Sequence, residues 1–117
     1  MAATLPKSER LCGLTAIAGL MEHGKTGLAG CLRYKYRKVE GMAVSRILIS
    51  VPKRSFKRAV KRNLLKRRIR ESYRLQKDLL PVPVDIAFIY VAREVLPYDT
   101  IYAAMTEVLS AVASKTE

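Results

Sequence analysis

Residues 46–92 read RILISVPKRSFKRAVKRNLLKRRIRESYRLQKDLLPVPVDIAFIYVA, and the changes of pattern within this stretch decide the fold. Ile47, Leu48 and Ile49 form the apolar body of a strand running from about Arg46 to Val51. Pro52 ends it, because proline has no N–H to give to a sheet ladder. The basic segment Lys53 to Lys77 follows with helical periodicity, and Pro81 and Pro83 break it. Val84 to Ala92 is then a nearly continuous apolar run, rich in β-branched and aromatic residues, as a buried central strand requires.

Working outward, Leu28 to Val39 reads as one strand. Alternation puts Leu32, Tyr34 and Tyr36 on one face and Arg33, Lys35 and Arg37 on the other. Glu40, Gly41 and Met42 suggest a turn. Nearer the N-terminus, Ser8 is a candidate helix cap, with Glu9 in the first turn where the helix dipole favours an acid. Leu11, Leu14, Ile17, Ala18 and Met21 recur at helical spacing, and Gly24 is a natural stop. Gly13 and Gly19 would weaken that helix by about 1 kcal/mol each in its interior. At the other end Pro97, with Asp99 or Thr100 as cap, opens a last helix. Its stripe is Ile101, Ala104, Met105, Val108, Leu109 and Val112. The order is α-β-β-α-β-α: an α+β build, helices against a small sheet, in a chain of 117 residues that suits one domain.

The net charge is +12, and its location says more than its size. Residues 1–52 carry +5 and residues 78–117 carry −4, whereas residues 53–77 hold twelve Lys/Arg against one acid. A charge serving only solubility would be spread more evenly. Turned at about 100° per residue, the segment divides into two sides. Leu65, Ile69 and Tyr73, with Ser72 beside them, share a face able to pack on a sheet. Asn63, Lys66, Arg67, Arg70 and Arg74 make a ridge opposite, flanked by Val60 and Leu64. Guanidinium groups fork onto phosphate oxygens, and each phosphate neutralised releases counterions. Asn63 adds a donor and an acceptor for a sugar or base edge. Such a face repels itself until an anion meets it, so a polyanion is the expected partner.

Catalytic chemistry is hard to assemble. His23 is the sole histidine, and Asp78, Asp85, Glu94 and Asp99 are scattered. No Cys, His or acid spacing suits a metal, and no glycine-rich phosphate loop occurs. Cys12 and Cys31 read as packed thiols of a reduced, cytoplasmic protein. No apolar run reaches the roughly 18 residues of a membrane span, and Met1 to Arg10 lacks the features of a secretory signal. A DNA regulator is disfavoured, because a strand and Pro52, not a partner helix, precede the basic helix. Catalytic residues and metal ligands are therefore expected to be absent.

Arg62-Asn63-Leu64-Leu65-Lys66-Arg67-Arg68-Ile69-Arg70-Glu71 resembles the hallmark of the protein component of bacterial ribonuclease P. That hallmark is Arg-Asn-Arg, one residue, Lys-Arg, two residues and Arg. Arg62, Asn63, Lys66, Arg67 and Arg70 match it, and Leu64 stands where the third residue of the triplet is a cation. Ile49-Ser50-Val51-Pro52-Lys53-Arg54 resembles the family's strand end, with Pro52 in place of serine, and Ala92-Arg93 resembles the end of its last strand. The likeness spans about residues 5–113.

The resemblance implies a ribozyme's protein subunit. The RNA subunit cleaves the 5′ leader from precursor tRNA with Mg²⁺, and the protein binds both RNAs, needing no membrane and no obligatory protein partner. For the RNA subunit the candidates are Lys53, Arg54, Lys57, Arg58 and Lys61, then Arg62, Asn63, Lys66, Arg67, Arg70 and Arg74. The leader would lie between the first helix and the sheet, near Ile17, Met21, Arg33, Tyr34, Lys35, Tyr36 and Arg37. Aromatics expected in that cleft are replaced by Ile17, Met21 and Lys35. The resemblance also implies a left-handed βαβ crossover, against the right-handed rule. A ribosomal or ribosome-assembly RNA-binding protein is the alternative reading.

Overall fold

The computed structural model describes residues 9–11, 13–39, 41 and 44–116. In chain order the elements are α1 (Leu14–His23), β1 (Lys25–Ala29), β2 (Leu32–Lys38), β3 (Arg46–Ser50), α2 (Ala59–Gln76), β4 (Val84–Tyr90) and α3 (Tyr98–Thr116). A 3₁₀ turn, Lys77–Leu79, extends α2. The sheet order is β1-β2-β4-β3. β1 with β2 and β2 with β4 are antiparallel, whereas β3 and β4 are parallel and joined through α2. The parallel β3-α2-β4 connection and the α-β-β-α-β-α order are those expected, except that the first strand region folds as a hairpin.

That hairpin is a correction to the single strand expected over Leu28 to Val39. Ala29 pairs with Leu32, so the chain reverses through Gly30 and Cys31. Gly30 takes φ 56°, which a two-residue hairpin turn demands and glycine meets without strain. The alternation beyond it holds: Leu32, Tyr34 and Tyr36 are buried, while Arg33 and Arg37 are exposed.

β4 lies between β2 and β3, and helices cover both faces of the sheet, so β4 is buried at every position but Ile89. On one face α2 and α3 close the main core. Leu65, Ile69 and Tyr73 from α2 meet Leu32, Tyr34, Tyr36, Ile47, Ile86 and Phe88 there, with the whole α3 stripe from Ile101 to Val112. Burial of each such large apolar side chain contributes about 1.5–3 kcal/mol. On the other face α1 makes a smaller cluster, in which Leu20 and Leu11 pack with Ala87, Ile17 and Leu48.

Two helix starts differ from expectation. α1 begins at Leu14, because Gly13 sits before it at φ 95°. Glu9 is consequently not in its first turn, and Ser8 lies outside the described residues. Arg10 instead bridges Ile47, Leu11 N–H donates to the Ile47 carbonyl at 2.8 Å, and Glu9 pairs with Lys77 at 2.9 Å. In α3 the Pro97 carbonyl accepts from Ile101 N–H at 3.3 Å. Pro97 therefore holds the cap position, and Asp99 and Thr100 are already helical. None of the described helices is long and apolar enough to cross a membrane.

Candidate nucleic-acid interface

The basic segment is a loop followed by a helix. Lys53, Arg54, Lys57 and Arg58 precede α2, which corrects any picture of a single continuous helix. Pro52 starts a tight turn, with its carbonyl accepting from Ser55 at 3.2 Å and Phe56 at 3.3 Å. Phe56 anchors this loop in the core, its ring 5.8 Å from that of Tyr90. Arg62 reaches back from α2 and donates to the carbonyls of Phe56 at 2.7 Å and Lys57 at 2.9 Å. The loop cations are thus held against the helix while their side chains point to solvent.

Along α2 the two sides are as the periodicity predicts. Leu65, Ile69, Ser72 and Tyr73 are buried, and Ser72 Oγ donates to the Ile69 carbonyl at 2.8 Å. Asn63, Arg67 and Arg74 are exposed, and Lys66 and Arg70 partly so. Not every cation is available, however. Arg74 is paired with Glu71 one turn back, which lowers the Glu71 carboxyl pKa and raises that of Arg74. Arg68 donates to the Leu96 carbonyl at 2.6 Å and ties the approach to α3. Among the described residues, Lys53, Arg54, Lys57, Arg58, Lys61, Lys66, Arg67 and Arg70 have no carboxylate within salt-bridge distance. Most of the segment's charge is therefore uncompensated.

The sheet face under α1 is the second part. The registers place Arg33 beside Ile89, Lys35 beside Ala87, and Arg37 beside Asp85. Lys35 Nζ donates to the Met21 carbonyl, which binds this strand to the end of α1. Arg37 lies against Gly19, where any Cβ would meet its guanidinium. Ile17 packs into the small cluster, and Met21 is exposed. Arg46 forks onto both oxygens of Asp85 at 2.8 and 2.7 Å.

Tyr34 and Tyr36 leave the candidate leader set. They are 5% and 4% exposed, on the face turned to α3. Their rings stack at 6.2 Å, and burial raises the Tyr36 phenol pKa. A one-residue alternation separates them from Lys35, so they lie on the face of β2 opposite to that of Lys35. Sequence reading missed a different grouping. Arg54, Ser55 and Arg93 line one concavity at the carboxyl ends of β3 and β4. These residues come from opposite ends of the crossover, and only the parallel pairing brings them together.

A family model described as Ribonuclease P matches residues 5–113. The chain belongs to the ribonuclease P protein family. A ribonuclease P protein component from Porphyromonas gingivalis strain W83 is 39% identical over 118 residues, covering 93% of this chain and 86% of that protein. The ribonuclease P protein of Thermotoga maritima superposes with a TM-score of 0.76 at 27% identity, covering 88% of this chain and 96% of that one. That of Staphylococcus aureus gives 0.78 at 22%, covering 90% and 95%, a likeness of fold. Nothing in these relatives favours the ribosomal alternative. As a ribonuclease P protein, the chain has an RNA subunit as its partner, and the ribonuclease P holoenzyme is a ribonucleoprotein.

Proposed function

We propose that the loop 53–58 and α2 of this ribonuclease P protein grip the RNA subunit, while the face between α1 and β2 guides the 5′ leader of precursor tRNA. The observation carrying this reading is the run of uncompensated cations from Lys53 to Arg70, mounted on a helix whose other side is locked in the core. Rigid mounting means that little backbone freedom is lost on binding, and forked guanidinium groups suit phosphate. Exposed Arg33 and Arg37 supply cations to the second face, and Met21 supplies apolar surface.

Cleavage itself is assigned to the RNA, in the cytoplasm, with Mg²⁺ needed by the RNA-containing holoenzyme. Among the described residues, the donor set does not suit an all-protein Mg²⁺ site. Among the described residues no three His, Cys, Asp or Glu side chains group closely enough to hold a metal ion. Of the acids beside the cations, Glu71 is taken by Arg74 and Asp85 by Arg46.

The test is cleavage of a precursor tRNA by a bacterial ribonuclease P RNA at low Mg²⁺, with and without the protein, beside a protein-only control. Cleavage at the mature 5′ end only when both are present is the expected result. Absence of stimulation, or cleavage by protein alone, refutes the reading.

A further inference from the structure

The exposed crest of α2 is not basic along its whole length. At about 100° per residue, the line opposite buried Ile69 passes through Val60, Leu64, Arg67, Glu71 and Arg74. The far half of that line holds Arg67 and the Arg74–Glu71 pair. The near half is apolar. Val60 is 79% exposed, Leu64 is partly exposed, and neither belongs to the apolar clusters described above. Spaced i, i+4, the two side chains are neighbours on the helix surface. Arg58, Lys61, Asn63 and Arg67 surround them in the chain.

A single exposed valine requires no explanation. This pair differs because of where it stands: whatever meets the surrounding cations also meets Val60 and Leu64. A phosphate there gains nothing from apolar contact and loses hydration. A nucleobase swung out of its stack presents a flat, largely apolar face that such side chains can cover. In a regular RNA duplex the deep, narrow major groove keeps base faces and edges away from a helix, so the base must come from a loop, bulge or strand end. An acidic amphipathic protein segment also meets cations. It fits less well, because twelve Lys/Arg against one acid over residues 53–77 suit a closely spaced run of negative charge, which a nucleic-acid backbone supplies.

We infer that Val60 and Leu64 form an apolar footing for an unpaired nucleobase of the bound RNA, with Lys61 and Arg67 on the phosphates to either side. This rests on the RNA-binding reading of α2 above and adds which feature of the RNA the helix takes.

The experiment measures binding of the full chain, Val60→Ala, Leu64→Ala, Leu64→Arg and Arg67→Ala to a transcript of bacterial ribonuclease P RNA over a salt series. Each of the first two variants is expected to bind about 3- to 10-fold more weakly, with the slope of log K against log salt unchanged, since no phosphate contact is lost. Leu64→Arg is expected not to improve on the parent chain. Full affinity in both Val60→Ala and Leu64→Ala overturns the inference and leaves the strip to a protein partner. Tighter binding and a steeper slope with Leu64→Arg also overturns it, because a phosphate then lies over position 64. Val60 is too exposed for its truncation to disturb the core, so a loss there reports on RNA. If the parent chain fails to bind RNA, the proposed function falls with the inference. If the parent binds and Arg67→Ala flattens the slope while Val60→Ala and Leu64→Ala are neutral, the inference alone falls.

Discussion

Arg62, Arg67, Arg68, Arg70 and Arg74 share one helix and one charge, yet their contacts give them different tasks. Arg62 braces the loop carbonyls of Phe56 and Lys57, Arg68 holds Leu96, and Arg74 is paired with Glu71. Arg67 and Arg70 have no carboxylate partner among the described residues. Arg67→Ala or Arg70→Ala should weaken RNA binding and reduce the salt slope by about one unit or less, with the unfolding midpoint slightly raised at low salt, since one repelling charge is removed. Arg62→Ala should lower that midpoint as well, because it strips a charged donor from two carbonyls, a loss of about 1.5–3 kcal/mol. Thermal melts beside binding curves separate the two classes. Tyr73 gives a prediction in pH. Its burial, reinforced by Glu9 and opposed by Ser45, pushes its phenol from 10.0 up to about 12. The fold keeps the neutral phenol, so this contribution is complete below the unfolded value of 10.0 and is lost as pH rises from there toward about 12. Denaturant unfolding across that window should show a fall in stability that Tyr73→Phe flattens.

At the scale of elements, α2 and α3 were legible because their periodicity is local. Residues three and four apart are fixed by the helix itself, so the buried stripe of α3, from Ile101 to Val112, follows from spacing alone. Ile69→Ala should cost about 2–5 kcal/mol of stability, measured by denaturant unfolding, and leave the salt slope of RNA binding as it was. Equal destabilisation by Ile69→Ala and Arg67→Ala would mean the two sides of α2 are exchanged. The β1–β2 hairpin was not legible. Gly30 with Cys31 is a weak turn signal, and apolar Leu28 and Ala29 before it continue the strand pattern. Close packing also decides Gly27: the Tyr34 ring occupies the place where its Cβ would lie. Gly27→Ala should cost about 1–3 kcal/mol by overpacking, read as a lower unfolding midpoint.

For the whole molecule, the uneven charge is a strain on the free chain. Residues 53–77 repel one another in the absence of RNA, and salt screens exposed charges over about 10 Å at 0.1 M. The melting temperature should therefore rise with ionic strength. Each 1 kcal/mol of repulsion relieved corresponds to about 4 °C for a domain of this size, and the rise should be smaller in Arg67→Ala/Arg70→Ala. A melting temperature indifferent to salt would contradict this account. By itself the sequence determined the class of partner and the two sides of α2, because charge density and helical spacing are properties of neighbouring residues. It also determined that β4 is buried, from an apolar run that only a covered central strand can carry. Tertiary structure alone decided which arginines are free for RNA, since the carbonyls of Phe56 and Leu96 reach them only through the loops' placement. It alone turned Tyr34 and Tyr36 into the α3 core and Arg33 and Arg37 toward α1, and it alone joined Arg54 to Arg93. The physical reason is that alternation defines two faces of a strand without naming them. Only the packing of α1, α2 and α3 on the sheet says which face is sealed in the main core and which lies under α1.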